Sequence, residues 1–75
     1  MSVPANLHWE EVDSSNIKRI GHDEEKSIVY VEFKDGGQYA YDDVDTTLFN
    51  RFLSAPSAGK FFYANIKNHT FERVN

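Results

Sequence analysis

Ser27-Ile28-Val29-Tyr30-Val31-Glu32-Phe33-Lys34-Asp35-Gly36-Gly37-Gln38-Tyr39-Ala40-Tyr41 is the stretch that decides the fold. Its first half is dense in β-branched and aromatic residues, which favour a pleated, half-buried strand. Val29, Val31 and Phe33 share one face, and Ile28, Tyr30 and Glu32 share the other. Asp35, Gly36 and Gly37 break the pattern as a tight turn, and Gln38 to Val44 returns as a second strand. Two registers compete. A two-residue loop at Asp35 and Gly36 pairs Phe33 with Gln38 and Val31 with Ala40. A three-residue loop ending at Gly37 pairs Phe33 with Tyr39 and Val31 with Tyr41. Only the second gathers Val29, Val31, Phe33, Tyr39 and Tyr41 on one apolar face, and a one-residue slip would turn that set over. The longer loop is therefore expected, with Gly37 in the left-handed region.

Upstream, Ile17 to Asp23 reads as an earlier strand. Ile17 and Ile20 are three apart and fall on opposite faces of a regular strand, so a bulge near Gly21 is expected. Asp13 to Asn16 and Asp23 to Lys26 read as polar turns. Residues 1–11 lack sustained periodicity and read as a flexible lead-in to a single domain over 12–75. Within that lead-in, Leu7 and Trp9 are alternate residues that suit a short strand or clasp. Downstream, Leu48, Phe49, Phe52 and Leu53 make a helical stripe, capped by Asp45 or Thr46 and stopped near Ala55 by Pro56. Ser57 suits the cap of a second helix with the stripe Ala58, Phe61, Phe62 and Ile66, ending near Asn68. Thr70 to Val74 suits a short closing strand. The expected fold is α+β: β-β-β-α-α with room for a fourth, C-terminal strand, an antiparallel sheet with two helices packed on one face.

The chain has 75 residues, enough for one domain, and carries no cysteine. That excludes a disulfide framework, a cysteine nucleophile and any thiolate-bound metal, and it fits a reducing, cytoplasmic setting. No run approaches the roughly 20 apolar residues of a membrane span. No basic start followed by an apolar stretch marks a signal peptide. Ordering a chain costs roughly 1.5 kcal/mol per residue, so a small domain without staples depends on dense packing. The eleven aromatic residues supply it.

The formal net charge of −4 conceals a split. Residues 1–45 carry Lys18, Arg19, Lys26 and Lys34 against eleven carboxylates, a net of −7. Residues 46–75 carry Arg51, Lys60, Lys67 and Arg73 against Glu72 alone, a net of +3. Lys60 and Lys67 are seven apart and share a face of the second expected helix, with Tyr63 and Asn65 close by in sequence. Such a surface suits contact with phosphates and bases; the plain alternative is a solvated helix face. Tyr39 and Tyr41 also have two readings. They point to the same side of the sheet, either under the helices or as an exposed stacking platform for bases.

No catalytic constellation is visible. His8, His22 and His69 are scattered, without the close spacing of a helical metal site. Asp23, Asp42, Asp43 and Asp45 lack the spacing of a calcium loop. Ser14 and Ser15 sit in no glycine-flanked elbow, and Gly36 and Gly37 open no phosphate-cradling helix.

With these residues in place, the sequence resembles the KTSC domain family, a short domain found at the C-terminus of some lysyl-tRNA synthetases and as a stand-alone protein in bacteria and phages. The resemblance runs from about Val12 to Val74. It rests on Ser14, Ser15 and Ile17, then Ile20, Gly21 and Asp23, the strand Val29 to Phe33, and the Tyr-x-Tyr at Tyr39 and Tyr41. Val44, Leu53, Ala55, Ser57, Gly59, Phe61, Phe62, Ile66 and Lys67 continue it. His22, Asp45, Tyr63 and His69 depart from the residues usual in the family. The resemblance implies a single α+β domain; attachment to a tRNA synthetase suggests RNA binding and transfers no activity.

The leading expectation is a non-enzymatic module without cofactor or metal that binds RNA or a nucleotide-like phosphate ligand. Arg51, Lys60 and Lys67 would neutralise phosphate, and Tyr39, Tyr41, Tyr63 and Asn65 would meet a base. The alternative is a protein-interaction or inhibitory module whose acids, including Glu24, Glu25, Asp42, Asp43 and Asp45, face a basic partner. Neither expectation involves a membrane, and the sequence does not fix the oligomeric state.

Overall fold

In the computed structural model, which describes residues 3–75, β3 (Ile28–Phe33) is the central strand of a five-stranded antiparallel sheet. The strands lie in chain order: β1 (Trp9–Glu11), β2 (Ile17–Asp23), β3, β4 (Gln38–Tyr41) and β5 (Phe71–Arg73). Two helices, α1 (Thr46–Leu53) and α2 (Ala58–Asn65), connect β4 to β5. The α+β class and the single helical layer match the sequence expectation, with the strand count raised to five. Trp9–Glu11, inside the stretch read as a lead-in, pairs with β2. Met1 and Ser2 lie outside the described residues.

The β3–β4 register differs from the expected one by two residues. Val31 pairs with Tyr39 and Val29 with Tyr41. Asp35 decides this: its Oδ1 accepts the Gly37 N–H at 2.9 Å. The Phe33 N–H donates to the Gly37 carbonyl at 2.9 Å, and the Gly36 N–H to the Phe33 carbonyl at 3.0 Å. The loop closes at Phe33 and Gly37, so the residue with positive φ (96°) is Gly36 rather than Gly37. A slip of two keeps every side chain on its face, so the apolar set Val29, Val31, Phe33, Tyr39 and Tyr41 survives intact.

The β2 irregularity lies between Ile17 and Arg19, not near Gly21. The bulge follows the turn in which Ser14 Oγ accepts the Ile17 N–H at 3.2 Å, and it brings Ile17 and Ile20 to one face. Gly21 pairs regularly with Trp9 and Tyr30. Its role is steric: a Cβ there would meet Leu7 Cδ2 at 2.7 Å and the His8 carbonyl oxygen at 3.0 Å.

Each face of the sheet carries a core. Under the helices, Ile17, Ile20, Val29, Val31 and Tyr41 meet Phe49, Phe52, Phe62 and Ile66, with Phe52 fully buried. On the opposite face, Tyr30, Ala40 and Val74 are covered by Val3, Leu7, Trp9 and Ile28. Arg19 lies over the Trp9 ring at 4.3 Å and donates to Glu32. Burial acts to raise the Glu32 carboxyl, but hydrogen bonds from Arg19 and Gln38 outweigh it and hold it below the ordinary value.

Both helices begin where their caps predict. Asp45 Oδ1 accepts the Leu48 N–H at 2.8 Å, and Ser57 Oγ accepts the Lys60 N–H at 3.3 Å. The second helix stops at Asn65, three residues before the expected end, because the Ile66 and Lys67 N–H groups both converge on the Phe62 carbonyl, at 2.9 and 2.8 Å.

The steric reading of Gly21 is testable. Gly21→Ala is expected to destabilise the domain by about 1–3 kcal/mol in chemical unfolding. Part of that loss should disappear in a Leu7→Ala background, because the two sites are in direct contact. Equal losses in both backgrounds would place the constraint elsewhere.

Candidate nucleic-acid interface

The helices cover the sheet unevenly. Phe62 of α2 reaches Tyr41 with ring centroids 5.2 Å apart and Phe33 at 5.5 Å. Beyond them, on the same side of the sheet, stand Tyr39 and the two alternate β5 residues Phe71 and Arg73. Phe71 is 55% exposed. Its ring lies 5.3 Å from Tyr41 and 6.1 Å from Tyr39, and the Arg73 guanidinium lies over Tyr39 at 5.7 Å. An exposed phenyl ring, a half-buried phenol and a guanidinium are thus contiguous on an open sheet edge.

The backbone of this edge is also oriented outward. The Asp42 N–H donates to the Thr70 carbonyl and the Val74 N–H to the Gln38 carbonyl, each at 2.8 Å. Antiparallel ladders alternate, so Phe71 and Arg73 turn their own N–H and C=O away from β4.

The residues selected from sequence divide into distinct environments. Tyr41 is only 5% exposed and belongs to the core, while Tyr39 stands at its rim. Tyr63 is 66% exposed, and the Lys67 ammonium sits 4.0 Å from its ring centroid. Lys67 lies past the end of α2, so the shared helical face with Lys60 does not form. Lys60 is exposed. Arg51 packs over Phe61 at 5.7 Å. Asn65 donates its side-chain amide back to the Phe61 carbonyl at 3.3 Å. Arg51, Lys67 and Arg73, three of the four cations of the C-terminal part, therefore each rest on an aromatic ring.

The sequence pattern alone does not single out Phe71 and Arg73. The signal was available as alternation in the closing strand, but their exposure depends on where the helical layer ends.

The acids lie elsewhere. Burial raises the pKa of the Tyr30 hydroxyl, and the charges of Asp23, Glu72 and Asp42 raise it further. These carboxylates therefore gather near Tyr30 on the helix-free face, and Glu72 points away from the neighbouring Phe71 and Arg73. Two histidines are held by main chain: His22 Nε2–H donates to the Val44 carbonyl at 2.6 Å and His69 Nδ1–H to the Asp42 carbonyl at 2.7 Å. Among the described residues, no three His, Asp or Glu side chains converge on a metal-sized site, and no helix is long and apolar enough to cross a membrane.

This architecture recurs in known proteins. The KTSC domain family model matches residues 13–71, and the chain belongs to that family. The crystal structure of a KTSC domain protein from Yersinia pestis superposes with a TM-score of 0.87 at 30% identity, covering 92% of this chain and 99% of that one. An uncharacterized protein of Stutzerimonas stutzeri is 35% identical over 51 residues, 68% of this chain and 72% of its own length. A Tsukamurella paurometabola protein is 34% identical over 56 residues, 75% of this chain and 84% of its own.

Tyr41 gives the site a pH signature. Burial, with the neighbouring Tyr39, pushes its pKa up to about 12 from 10.0. Between those values the folded state holds a proton that the unfolded state releases, so stability is intact below pH 10.0 and declines as pH rises towards 12. Tyr41→Phe is expected to reduce this alkaline loss in denaturation curves; Tyr30, shifted in the same direction, should retain part of it. An alkaline slope unchanged by Tyr41→Phe would exclude this origin.

Proposed function

We propose that this KTSC domain is a non-enzymatic cytoplasmic module that binds a short single strand of RNA along the β4–β5 edge. Phe71 offers a face for a base, Tyr39 extends it, and Arg73 supplies charge for phosphate or for stacking. The outward N–H and C=O groups of Phe71 and Arg73 are suited to base edges. Lys67, on the Tyr63 ring, and Lys60 add charge beyond this edge. The observation that carries the reading is the exposed Phe71 ring in contact with Tyr39 and Tyr41, with Arg73 over Tyr39. The net charge of −4 suits a short strand better than a long duplex, because Arg73 lies on a different face from the acids near Tyr30.

Amide-shift titration with short single-stranded RNA, single-stranded DNA and mononucleotides at two salt concentrations tests this. Shifts are expected at Tyr39, Tyr41 and Phe71 to Arg73, with affinity falling as salt rises. Base stacking contributes about 1–3 kcal/mol per base, so Phe71→Ala should weaken binding by about 5-fold to about 150-fold. Arg73→Gln should weaken it and flatten the salt dependence. Arg73 is exposed, so Arg73→Gln should change thermal unfolding little, whereas Phe71→Ala also removes ring contacts with Tyr39 and Tyr41 and should lower the unfolding temperature modestly. A flat response to every nucleic acid, or binding indifferent to both substitutions, removes the proposal.

A further inference from the structure

An open groove of about 920 Å³ lies between the N-terminal segment and α1, across the sheet from β5. Its apolar lining includes Leu7, Phe49 and Leu53, and His22 stacks on Phe49 with ring centroids 4.7 Å apart. Glu10, Asp23, Glu24 and Glu25 also line it, opposed by the single cation Lys26, a local net charge of −3 with His neutral. Among the described residues Glu10 Oε1 lies within hydrogen-bond distance of His8 Nε2, at 2.6 Å, and Asp23, Glu24 and Glu25 have no ion-pair partner. Asp23 Oδ1 accepts the Lys26 N–H at 3.2 Å and Glu24 Oε1 accepts the Thr46 hydroxyl at 3.3 Å, contacts that order the turn without compensating its charge.

We propose that this groove docks a basic amphipathic peptide segment of a partner protein, with apolar side chains against Leu7, Phe49 and Leu53 and lysines or arginines against Asp23, Glu24 and Glu25. Charge complementarity selects this occupant. A nucleic acid strand would meet uncompensated carboxylates, and a second copy docked groove to groove would bring two net charges of −3 together, with His neutral. Apolar contact gives the site affinity, and the acidic rim gives it preference for cationic sequences and a faster encounter. The groove is separate from the Phe71 edge, so this inference and the RNA reading stand or fall independently.

The probe is a short fluorescein-labelled peptide alternating lysine and leucine, with a lysine–serine peptide of equal charge as comparator. Saturable, salt-sensitive binding of the first and much weaker binding of the second are expected. Amide shifts should fall at Leu7, Asp23 to Lys26, Asn50 and Leu53. Charge reversal at the exposed pair, Glu24→Lys with Glu25→Lys, should weaken binding at least about tenfold. Asn50→Arg, exposed on α1 at the groove wall, should weaken it as well, with unchanged thermal unfolding. Phe71→Ala should leave it unaltered. Equal binding of the two peptides, shifts outside the groove, or affinity indifferent to these reversals would overturn the proposal. Concentration-dependent shifts at the same residues without peptide would also overturn it and assign the groove to self-association.

Discussion

Burial of β3 on both faces is the constraint on which the rest depends. Val29 and Val31 are fully buried against the helices, and Tyr30 is nearly so against the N-terminal segment. Antiparallel sheets often leave one face to water. Here the central strand excludes water from both, although the chain is too short for two full layers around its sheet. One cover is the helix pair between β4 and β5. The other is a strap of a few residues, held by the close approach of Leu7 to Gly21.

The limited reach of these covers creates the surfaces. Phe62 closes the helical core over Tyr41 and Phe33, leaving Phe71 at its margin. The same aromatic network that stabilises the interior therefore continues to the exterior through Tyr41 and Tyr39. At the opposite edge, the strap and α1 leave between them the groove with its acidic rim. Alternation along the strands then sorts charge: Arg73 faces the aromatic edge while Glu72, its neighbour, joins the acids near Tyr30. A weakly negative molecule can thus present surfaces of opposite character.

Much of this was legible in the sequence because it depends on local periodicity. Caps at Asp45 and Ser57, the break at Pro56 and the β3–β4 hairpin all follow from short-range chemistry. The hairpin register was misplaced by two residues, and the apolar face survived because side chains repeat every two. The bulge was needed to bring Ile17 and Ile20 together, but its position was set by the Ser14 turn rather than by the nearby glycine. The Lys60–Lys67 face failed because a helix end is fixed by where carbonyls find their donors, and Phe62 found two.

The sequence by itself determined which residues alternate, where helices start, that the cores are aromatic, and that cations concentrate toward the C-terminus. Only the tertiary structure decided which aromatics remain exposed, that Phe71, Tyr39 and Arg73 adjoin, and that the N-terminal segment and α1 border an open acidic groove. The physical reason is range. Periodicity and capping are set by neighbours within a turn or a hairpin, whereas exposure depends on where distant segments come to rest and where their coverage stops.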